Sequence, residues 1–289
     1  MIPAGRAFFK MSGSGNDFVV IDARAQGAGS LERPEVIRTL AARGTGVGAD
    51  GVVFLEASDA ADVRIRYFNA DGTLASLCGN ATLCATRLAV ELGAAPAGGL
   101  TIETGAGVLG ARIDGGIPEI DLAPIREVVE RGPIEPVGHE RRSGFVRAGV
   151  PHVTLLVPDV ETVDVVGRGR PIRHDPGLRD GANANFVAPV ADGRWRIRTY
   201  ERGVEAETLA CGTGAVASAI LLTAWGEARS PVELVTRSGR TLRVRLRRDD
   251  SGAWLPSLAG EALVVFRGEL AEVLGLSGVT DPDPGKAGA

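Results

Sequence analysis

Lysine is nearly absent from this chain of 289 residues. Its two lysines, Lys10 and Lys286, lie near the ends, and arginine supplies the other basic side chains. A pyridoxal phosphate enzyme holds its cofactor through a lysine Schiff base. Lys10 closes the first apolar strand and Lys286 lies in a Pro/Gly-rich tail, so neither is well placed for that bond. We therefore expect any amino-acid chemistry here to run without pyridoxal phosphate, and we predict no cofactor.

Other shortages exclude further classes of protein. The net charge of −4 and the pI near 5.6 leave no basic face for a nucleic-acid partner. Residues 1–10 contain no apolar core of signal-peptide length and no run approaches a membrane span, so no membrane partner is expected. Three cysteines do not make a disulfide framework, which favours a reducing, cytoplasmic location. Aromatic residues make up only 4%, so the core must be mainly Ala, Val, Leu and Ile.

What the chain does have is a cysteine at the start of a helix. Glu201-Arg202-Gly203 forms a turn, and Ala210-Cys211-Gly212-Thr213-Gly214 then leads into an apolar stretch that ends near Trp225. A helix that starts with small residues offers unpaired backbone N–H groups and a positive dipole end, which together bind an anion. The same electrostatics favour a thiolate at Cys211.

A second copy of this pattern lies in the first half of the chain. Cys78-Gly79-Asn80 opens a predicted helix that runs to about Leu92, with Gly93 after it. When Cys78 is aligned with Cys211, Tyr67 falls on Tyr200 and Asn69 on Arg202 at the same shift. The sequence therefore predicts an internal duplication that gives two similar α/β halves with a cleft between them.

Smaller features complete the expected order of elements. Ser30 is predicted to cap a helix over residues 31–43. Gly46 to Gly51 matches G-x-G-x-x-G, but a helix precedes it and a strand follows, the reverse of a dinucleotide site, so we interpret it as a turn. In the second half, residues 149–152 are expected to form a loop before a strand, and residues 183–185 to precede another strand.

Two cysteines that face each other across a cleft permit three chemistries. A redox disulfide needs sulfurs in bonding distance, and a metal site needs more thiolates or histidines nearby. In two-base racemisation, one thiolate removes an α-proton and the opposite thiol returns one to the other face. The amides of Gly79-Asn80 and Gly212-Thr213 would stabilise the charge that develops on the carboxylate, so this third chemistry explains most of the pattern, and we predict no metal.

These residues resemble the diaminopimelate epimerase family. The segments that carry the resemblance span nearly the whole chain in the family's order: Ser14-Gly15-Asn16-Asp17-Phe18, Gly48-Ala49-Asp50, Phe68-Asn69-Ala70-Asp71-Gly72, Cys78-Gly79-Asn80, Asn183 with Phe186, Tyr200-Glu201-Arg202-Gly203 and Ala210-Cys211-Gly212-Thr213-Gly214. The resemblance implies a cofactor-independent enzyme that converts L,L-diaminopimelate to the meso form, in lysine and cell-wall precursor biosynthesis, and that works as a homodimer. The implied fold is α+β: two pseudosymmetric domains, each a β-barrel-like sheet around a central apolar helix, with the active site in the cleft.

The resemblance also implies a role for each matching residue. Cys78 and Cys211 would be the acid/base thiols, and His152 and Glu201 would assist proton transfer. The far amino-acid end of the substrate would be held by Asn16, Asn69, Asn183 and Arg202, and the reacting carboxylate by Gly79, Asn80, Gly212 and Thr213.

The domain division follows from the duplication and the implied fold. Residues 1–124 plus about 263–279 form the predicted N-terminal half, and residues 125–262 form the C-terminal half. Residues 280–289 are expected to be a disordered tail.

One departure from the family bears on the substrate. Val150 stands in Gly149-Val150-Pro151-His152 where the family has asparagine, and a lost amide costs about 1–3 kcal/mol of recognition. An alternative is therefore a racemase of the same family for another amino acid. A catalytically silent amino-acid-binding protein and a redox sensor with a Cys78–Cys211 disulfide are alternatives from other classes.

Overall fold

The computed structural model describes residues 5–271, in which a large mixed sheet encloses two 13-residue helices. The helices are α1 (Pro34–Ala41), α2 (Gly79–Glu91), α3 (Val165–Arg173) and α4 (Gly212–Ala224), with 3-10 turns at Gly29–Glu32 and Val160–Thr162. No helix within this range is both long and apolar enough to cross a membrane.

Eighteen strands within residues 5–271 make up the sheet. The first half contains β1 (Arg6–Gly13), β2 (Asn16–Asp22), β3 (Gly51–Glu56), β4 (Val63–Asn69), β5 (Leu74–Ala75), β6 (Leu100–Thr104), β7 (Gly107–Asp114) and β8 (Ile117–Asp121). The second half contains β9 (Val128–Val129), β10 (Arg142–Ala148), β11 (Val150–Leu156), β12 (Asn183–Pro189), β13 (Trp195–Glu201), β14 (Ala206–Thr208), β15 (Val232–Val235), β16 (Thr241–Arg248) and β17 (Trp254–Gly260). The last strand is β18 (Ala262–Leu270).

Strand pairing repeats between the halves. In the first half β2 is parallel to β3 and β4 to β6, and in the second half β11 is parallel to β12 and β13 to β15. All other ladders are antiparallel, including β8 with β17, which joins the halves and places Leu258 opposite Ile120. The two halves of the chain therefore repeat the same strand arrangement, and they are joined by pairing between the equivalent strands β8 and β17.

Each half wraps its strands around one apolar helix. Ten residues of α2 and ten of α4 are buried, and α4 is apolar all round, as a helix enclosed by protein must be. Cys84 lies in this core, as its spacing from Leu88 predicts. The predicted fold class, α+β with two pseudosymmetric halves around central helices, is confirmed.

The last strand returns to the start of the chain. β18 pairs antiparallel with β1 from Arg6 opposite Leu270 to Gly13 opposite Ala262. In the second half, β9 has the corresponding place beside β10. The proposed division into residues 1–124 plus about 263–279 and residues 125–262 stays a prediction, and the predicted tail 280–289 lies outside the described residues.

Several predicted boundaries were wrong at the level of a few residues. Pro34, not Ser30, opens α1, because a residue that precedes proline is driven out of the helical region and Arg33 has ψ 135°. Residues 149–152 and 183–185 belong largely to β11 and β12, since pairing with neighbouring strands satisfies the backbone of segments that contain glycine, proline and asparagine. Helix α3 was missed. Its signal was Asp164, whose side chain caps it by accepting from the Gly167 amide.

Candidate active site

Both site cysteines occupy the same position in equivalent helices. Cys78 is the N-cap residue of α2 with φ −133° and ψ 114°, and Cys211 is the N-cap residue of α4 with φ −133° and ψ 108°. Extended backbone at an N-cap aims the side chain back over the first turn of the helix. The duplication therefore presents two thiols in the same local geometry.

The two helix starts meet at Leu258. A methyl group added to Gly79 or to Gly212 would lie 3.0 Å from Cδ2 of Leu258. A methyl group on Gly212 would also lie 3.8 Å from Cα of Gly79. A side chain at either glycine would press against Leu258, so the second residue of each Cys-Gly pair helps the N-termini of α2 and α4 to converge across the halves.

The converging helix ends favour an anion. Neither α2 nor α4 carries an acidic residue in its first turn, so no side chain offsets the positive end of either dipole. Their first-turn amides, including those of Gly79, Asn80, Gly212 and Thr213, have no partners within their helices. A carboxylate between the two helix starts would be stabilised by both.

Burial at the two thiols opposes the thiolate form that the helix dipole favours. Burial raises the pKa of Cys78 to about 11, against the opposing effect of the Ala81 and Asn80 amides. Burial also raises the pKa of Cys211, and the charge of Glu201 adds to the rise. Removing a sulfur anion from water costs more than the dipole returns. All three cysteines are free.

Glu201 lies at the end of β13, close enough to both thiols for its charge to raise the pKa of each. Burial raises the pKa of its own carboxyl, while a 2.9 Å hydrogen bond from the Thr208 hydroxyl opposes the rise. A carboxyl group with a raised pKa beside two thiols is suited to exchanging a proton with them.

His152 is fully buried between two amide side chains. Nδ2 of Asn183 lies 3.4 Å from its Nε2, and Nδ2 of Asn185 lies 3.3 Å from its Nδ1. Asn183 accepts from the Arg202 amide at 2.6 Å, and Asn185 donates to the Val153 carbonyl at 3.1 Å. These bonds turn both NH₂ groups toward the ring. Burial lowers the pKa of His152 to about 3, and the charge of Arg202 acts in the same direction.

A row of polar side chains leads from the surface to the start of α2. Arg43 donates to Oδ1 of Asp50 at 2.8 Å, Asn16 donates to Oδ2 of Asp50 at 3.0 Å, and Asn80 donates to Oδ1 of Asn16 at 2.5 Å. Both polar atoms of Asn16 are therefore engaged within the protein. Its predicted contact with the far end of the substrate stays a prediction.

The remaining predicted ligands lie at the equivalent ends of β4 and β13. Asn69 donates to the Thr73 hydroxyl at 3.0 Å, and Arg202 donates to the Asp180 carbonyl at 3.0 Å. The hydroxyl of Thr213 lies 3.6 Å from Sγ of Cys211. Val150 is half-buried at the start of β11, on the same side of the strand as His152, two residues on.

Three residues that matter for this geometry carried no role in the sequence interpretation. Leu258 sits between the helix starts, Asp50 anchors the row of amides, and Asn185 contacts the histidine. Two of the three could have been found from the sequence. Asn185 lies two residues after Asn183 and therefore on the same strand face, and Asp50 belongs to the Gly48-Ala49-Asp50 segment that resembles the family. Within residues 5–271, no three His, Cys, Asp or Glu side chains are grouped as a metal site requires.

Comparisons with known proteins agree with this geometry. The family model "Diaminopimelate epimerase" matches residues 8–118 and 144–259, one match in each half. The chain is 48% identical over 276 residues to a diaminopimelate epimerase of Gemmatimonas aurantiaca, covering 92% of this chain and 99% of that protein. It is 40% identical over 277 residues to the diaminopimelate epimerase of Aquifex aeolicus, covering 92% and 98%.

A solved structure shares the fold at low sequence identity. A Bacillus anthracis phenazine biosynthesis protein of the PhzF family superposes with a TM-score of 0.71 at 17% identity, over 93% of this chain and 99% of that one. The matched segments cover both cysteine-capped helices. This chain belongs to the diaminopimelate epimerase family and is an amino-acid epimerase.

Proposed function

We propose that this protein interconverts L,L- and meso-diaminopimelate, in lysine and cell-wall precursor biosynthesis, by proton transfer between Cys78 and Cys211 without pyridoxal phosphate. The observation that carries the proposal is the meeting of two cysteine-capped helix starts at Leu258. The curated relatives named diaminopimelate epimerase support the substrate.

The reacting carboxylate would bind between the N-termini of α2 and α4. One sulfur would then lie on each face of the α-carbon. The thiolate on one face takes the α-proton, and the electron pair of the broken C–H bond moves toward the carboxylate, where the backbone amides stabilise it. The thiol on the other face gives its proton to the carbon, so the configuration inverts and the two sulfurs exchange protonation states.

One thiol must lose its proton before the first step. Burial raises the pKa of each thiol and so favours the protonated form. Glu201 is the acidic side chain whose charge both sulfurs sense, so it is suited to receiving that proton when substrate binds. Since the two thiols influence one another, they titrate as a pair.

Incubation with L,L-diaminopimelate in D₂O tests the proposal. The wild type should form meso product with deuterium at the α-carbon, whereas Cys78→Ala and Cys211→Ala should lose conversion. Cys84→Ala, which alters the third cysteine in the core of the first half, is the matched control and should retain conversion.

Two results would contradict the proposal in different ways. If the wild type neither exchanges nor converts L,L-diaminopimelate, that substrate is eliminated. If Cys78→Ala and Cys211→Ala behave like wild type, the thiols do not transfer protons, and the amino-acid-binding alternative is favoured.

A second candidate is a racemase for another amino acid, and the position of Val150 favours it. This apolar side chain shares a strand face with His152, where the family resemblance expects an amide. Screening other L-amino acids for α-deuteration that depends on both thiols distinguishes the candidates. Faster exchange with a less polar amino acid than with L,L-diaminopimelate would establish the second.

We further propose, from the family resemblance, that the protein acts as a homodimer in the cytoplasm. Sedimentation velocity on the purified protein tests the oligomeric state, and a monomer at micromolar concentration would overturn it. Fractionation of the producing cells tests the location.

A further inference from the structure

Asn80 carries a buried oxygen without a partner. The residue is 2% exposed and its Oδ1 accepts no hydrogen bond from the described residues 5–271. An unsatisfied buried acceptor is costly, so natural proteins retain few of them and often at functional positions. The position of this one is the first turn of α2, two residues after Cys78.

The orientation of the Asn80 amide is fixed from outside the site. A carboxylate only accepts hydrogen bonds, so Asp50 obliges Asn16 to face it with Nδ2, at 3.0 Å. Oδ1 of Asn16 then faces Asn80, which must present its own Nδ2, at 2.5 Å. Arg43 and the Asp17 amide bind the Asp50 carboxylate at 2.8 and 3.2 Å. Asp50 thus determines, through Asn16, that the oxygen of the Asn80 amide is the atom left without a partner.

That oxygen points toward the opposite helix start. It lies 3.5 Å from the position of a methyl group on Gly212, the residue after Cys211. The first-turn backbone N–H groups of both helices are hydrogen-bond donors at this place, and the Glu201 carboxyl lies near both thiols. A buried acceptor beside these donors suits a ligand that has a carboxylate and, on the same carbon, a group that donates hydrogen bonds. An α-amino acid has that arrangement.

We propose that Oδ1 of Asn80 accepts a hydrogen bond from the α-ammonium group of the substrate, and that Asp50 is a positioning residue that orients it through Asn16. This inference rests on the proposed epimerase function and adds the recognition of the ammonium group at the reacting carbon. A neutral amide suits this position better than a carboxylate, because a second negative charge beside the thiolate and the substrate carboxylate would oppose proton removal.

Removing the acceptor should weaken binding of substrate. Asn80→Ala should raise KM for L,L-diaminopimelate by about 10–100-fold, as expected for a hydrogen bond to a charged group. Pimelate, which has both carboxylates and no ammonium group, should inhibit Asn80→Ala and wild type with constants within about twofold of each other. Asn80→Asp should bind substrate but lose turnover, since its charge lies beside the thiols.

Disturbing the orientation of the Asn80 amide should also raise KM, but by less than removing the amide does. Asp50→Asn lets the amide at position 50 donate, so Asn16 and Asn80 can both reverse, and KM should rise about threefold to tenfold. In the Asn80→Ala background the same change should have no further effect on KM, because nothing remains to orient. The matched control is Asp17→Asn, which alters the other carboxylate bound by Arg43 and leaves the Asn16 side chain untouched.

The outcomes separate this inference from the proposed function. An unchanged KM in Asn80→Ala, or equal weakening of pimelate, overturns the ammonium contact. An Asp50→Asn effect that persists in Asn80→Ala overturns the positioning role. Calorimetry with Cys78→Ser measures affinity apart from turnover. If L,L-diaminopimelate binds without exchange in the wild type, proton transfer fails, while weaker binding by Asn80→Ala still supports the contact.

Discussion

Asn185 packs directly against Gly214, so closely that a methyl group on this glycine would lie 2.5 Å from Oδ1 of the amide and 3.2 Å from Sγ of Cys211. Asn185 is itself held by the Thr199 hydroxyl, which donates to the same oxygen at 3.0 Å. The amide therefore connects the first turn of α4 with the histidine on β11. Any side chain at position 214 must displace either the amide or the thiol.

Gly214→Ala should consequently lower kcat by about 100-fold or more, because displacing a reacting group by about 1 Å is enough for such a loss. The fold should persist, since alanine favours helix more than glycine does. Gly99→Ala is the matched control, because nothing lies within 4 Å of a methyl group there. Steady-state kinetics and thermal unfolding check both variants. A fully active Gly214→Ala enzyme would show that the contact with Asn185 has no bearing on Cys211.

Asn185→Asp should make His152 easier to protonate. In the wild type both ring nitrogens face amide NH₂ groups, so neither of these two contacts offers the imidazolium an acceptor. A carboxylate at position 185 supplies that acceptor and a compensating charge, which raises the pKa of His152. Histidine NMR titration measures the change, with the exposed His139 and His174 as internal controls. A wild-type His152 that titrates near pH 6.5 would contradict this arrangement.

The same histidine should make stability depend on pH. The pKa of His152 is lowered to about 3 in the folded protein, so the unfolded chain binds a proton first as the pH falls. The contribution of the neutral His152 ring to the free energy of unfolding is fully present above about pH 6.5. It is lost as the pH falls below that value, by as much as about 1.4 kcal/mol per pH unit.

Urea unfolding between pH 7 and pH 4.5 measures that slope. His152→Asn should show a shallower decline of the free energy of unfolding than wild type, whereas the exposed-site variant His139→Asn should follow the wild type. Carboxylates contribute equally to all three proteins, so the difference in slope isolates His152. Parallel curves for His152→Asn and wild type would mean that the buried ring is already charged.

Glu119 should be a major electrostatic link between the halves. It is 1% exposed on β8, with Arg112 at 2.7 Å, and it also binds Arg245 and Ser257 from the second half. Glu119→Ala should cost about 3 kcal/mol, at the lower end for a broken buried pair, because both arginines are partly exposed and keep other carboxylates.

The control for Glu119 is Glu91→Ala, which breaks a surface pair with Arg87 within one helix. That change should cost about 0.5 kcal/mol or less. Urea unfolding at neutral pH measures both variants. Equal losses would mean that the pair between the halves contributes no more than an exposed one.

Local sequence was sufficient to predict much of the fold. The Cys-Gly openings of α2 and α4, the glycine after α2 and the repeated order of strands were readable, because small residues at a helix start and apolar periodicity depend on neighbours in the chain. The strand starts at Val150 and Asn183 were not readable. Val150 pairs with Ala148 across the turn at Gly149, and Asn183 pairs with His152 on β11, so strand pairing rather than local composition fixes both starts.

The sequence by itself determined that two equivalent cysteines lie at the N-termini of two equivalent helices, because the same order of residues occurs in both halves of the chain. Only the tertiary structure decided how those groups are tuned. Burial outweighs the helix dipole at both thiols, and Asp50 sets the amide of Asn80 through Asn16. Desolvation and hydrogen-bond direction depend on residues from separate parts of the chain that folding brings together, so no local pattern encodes them.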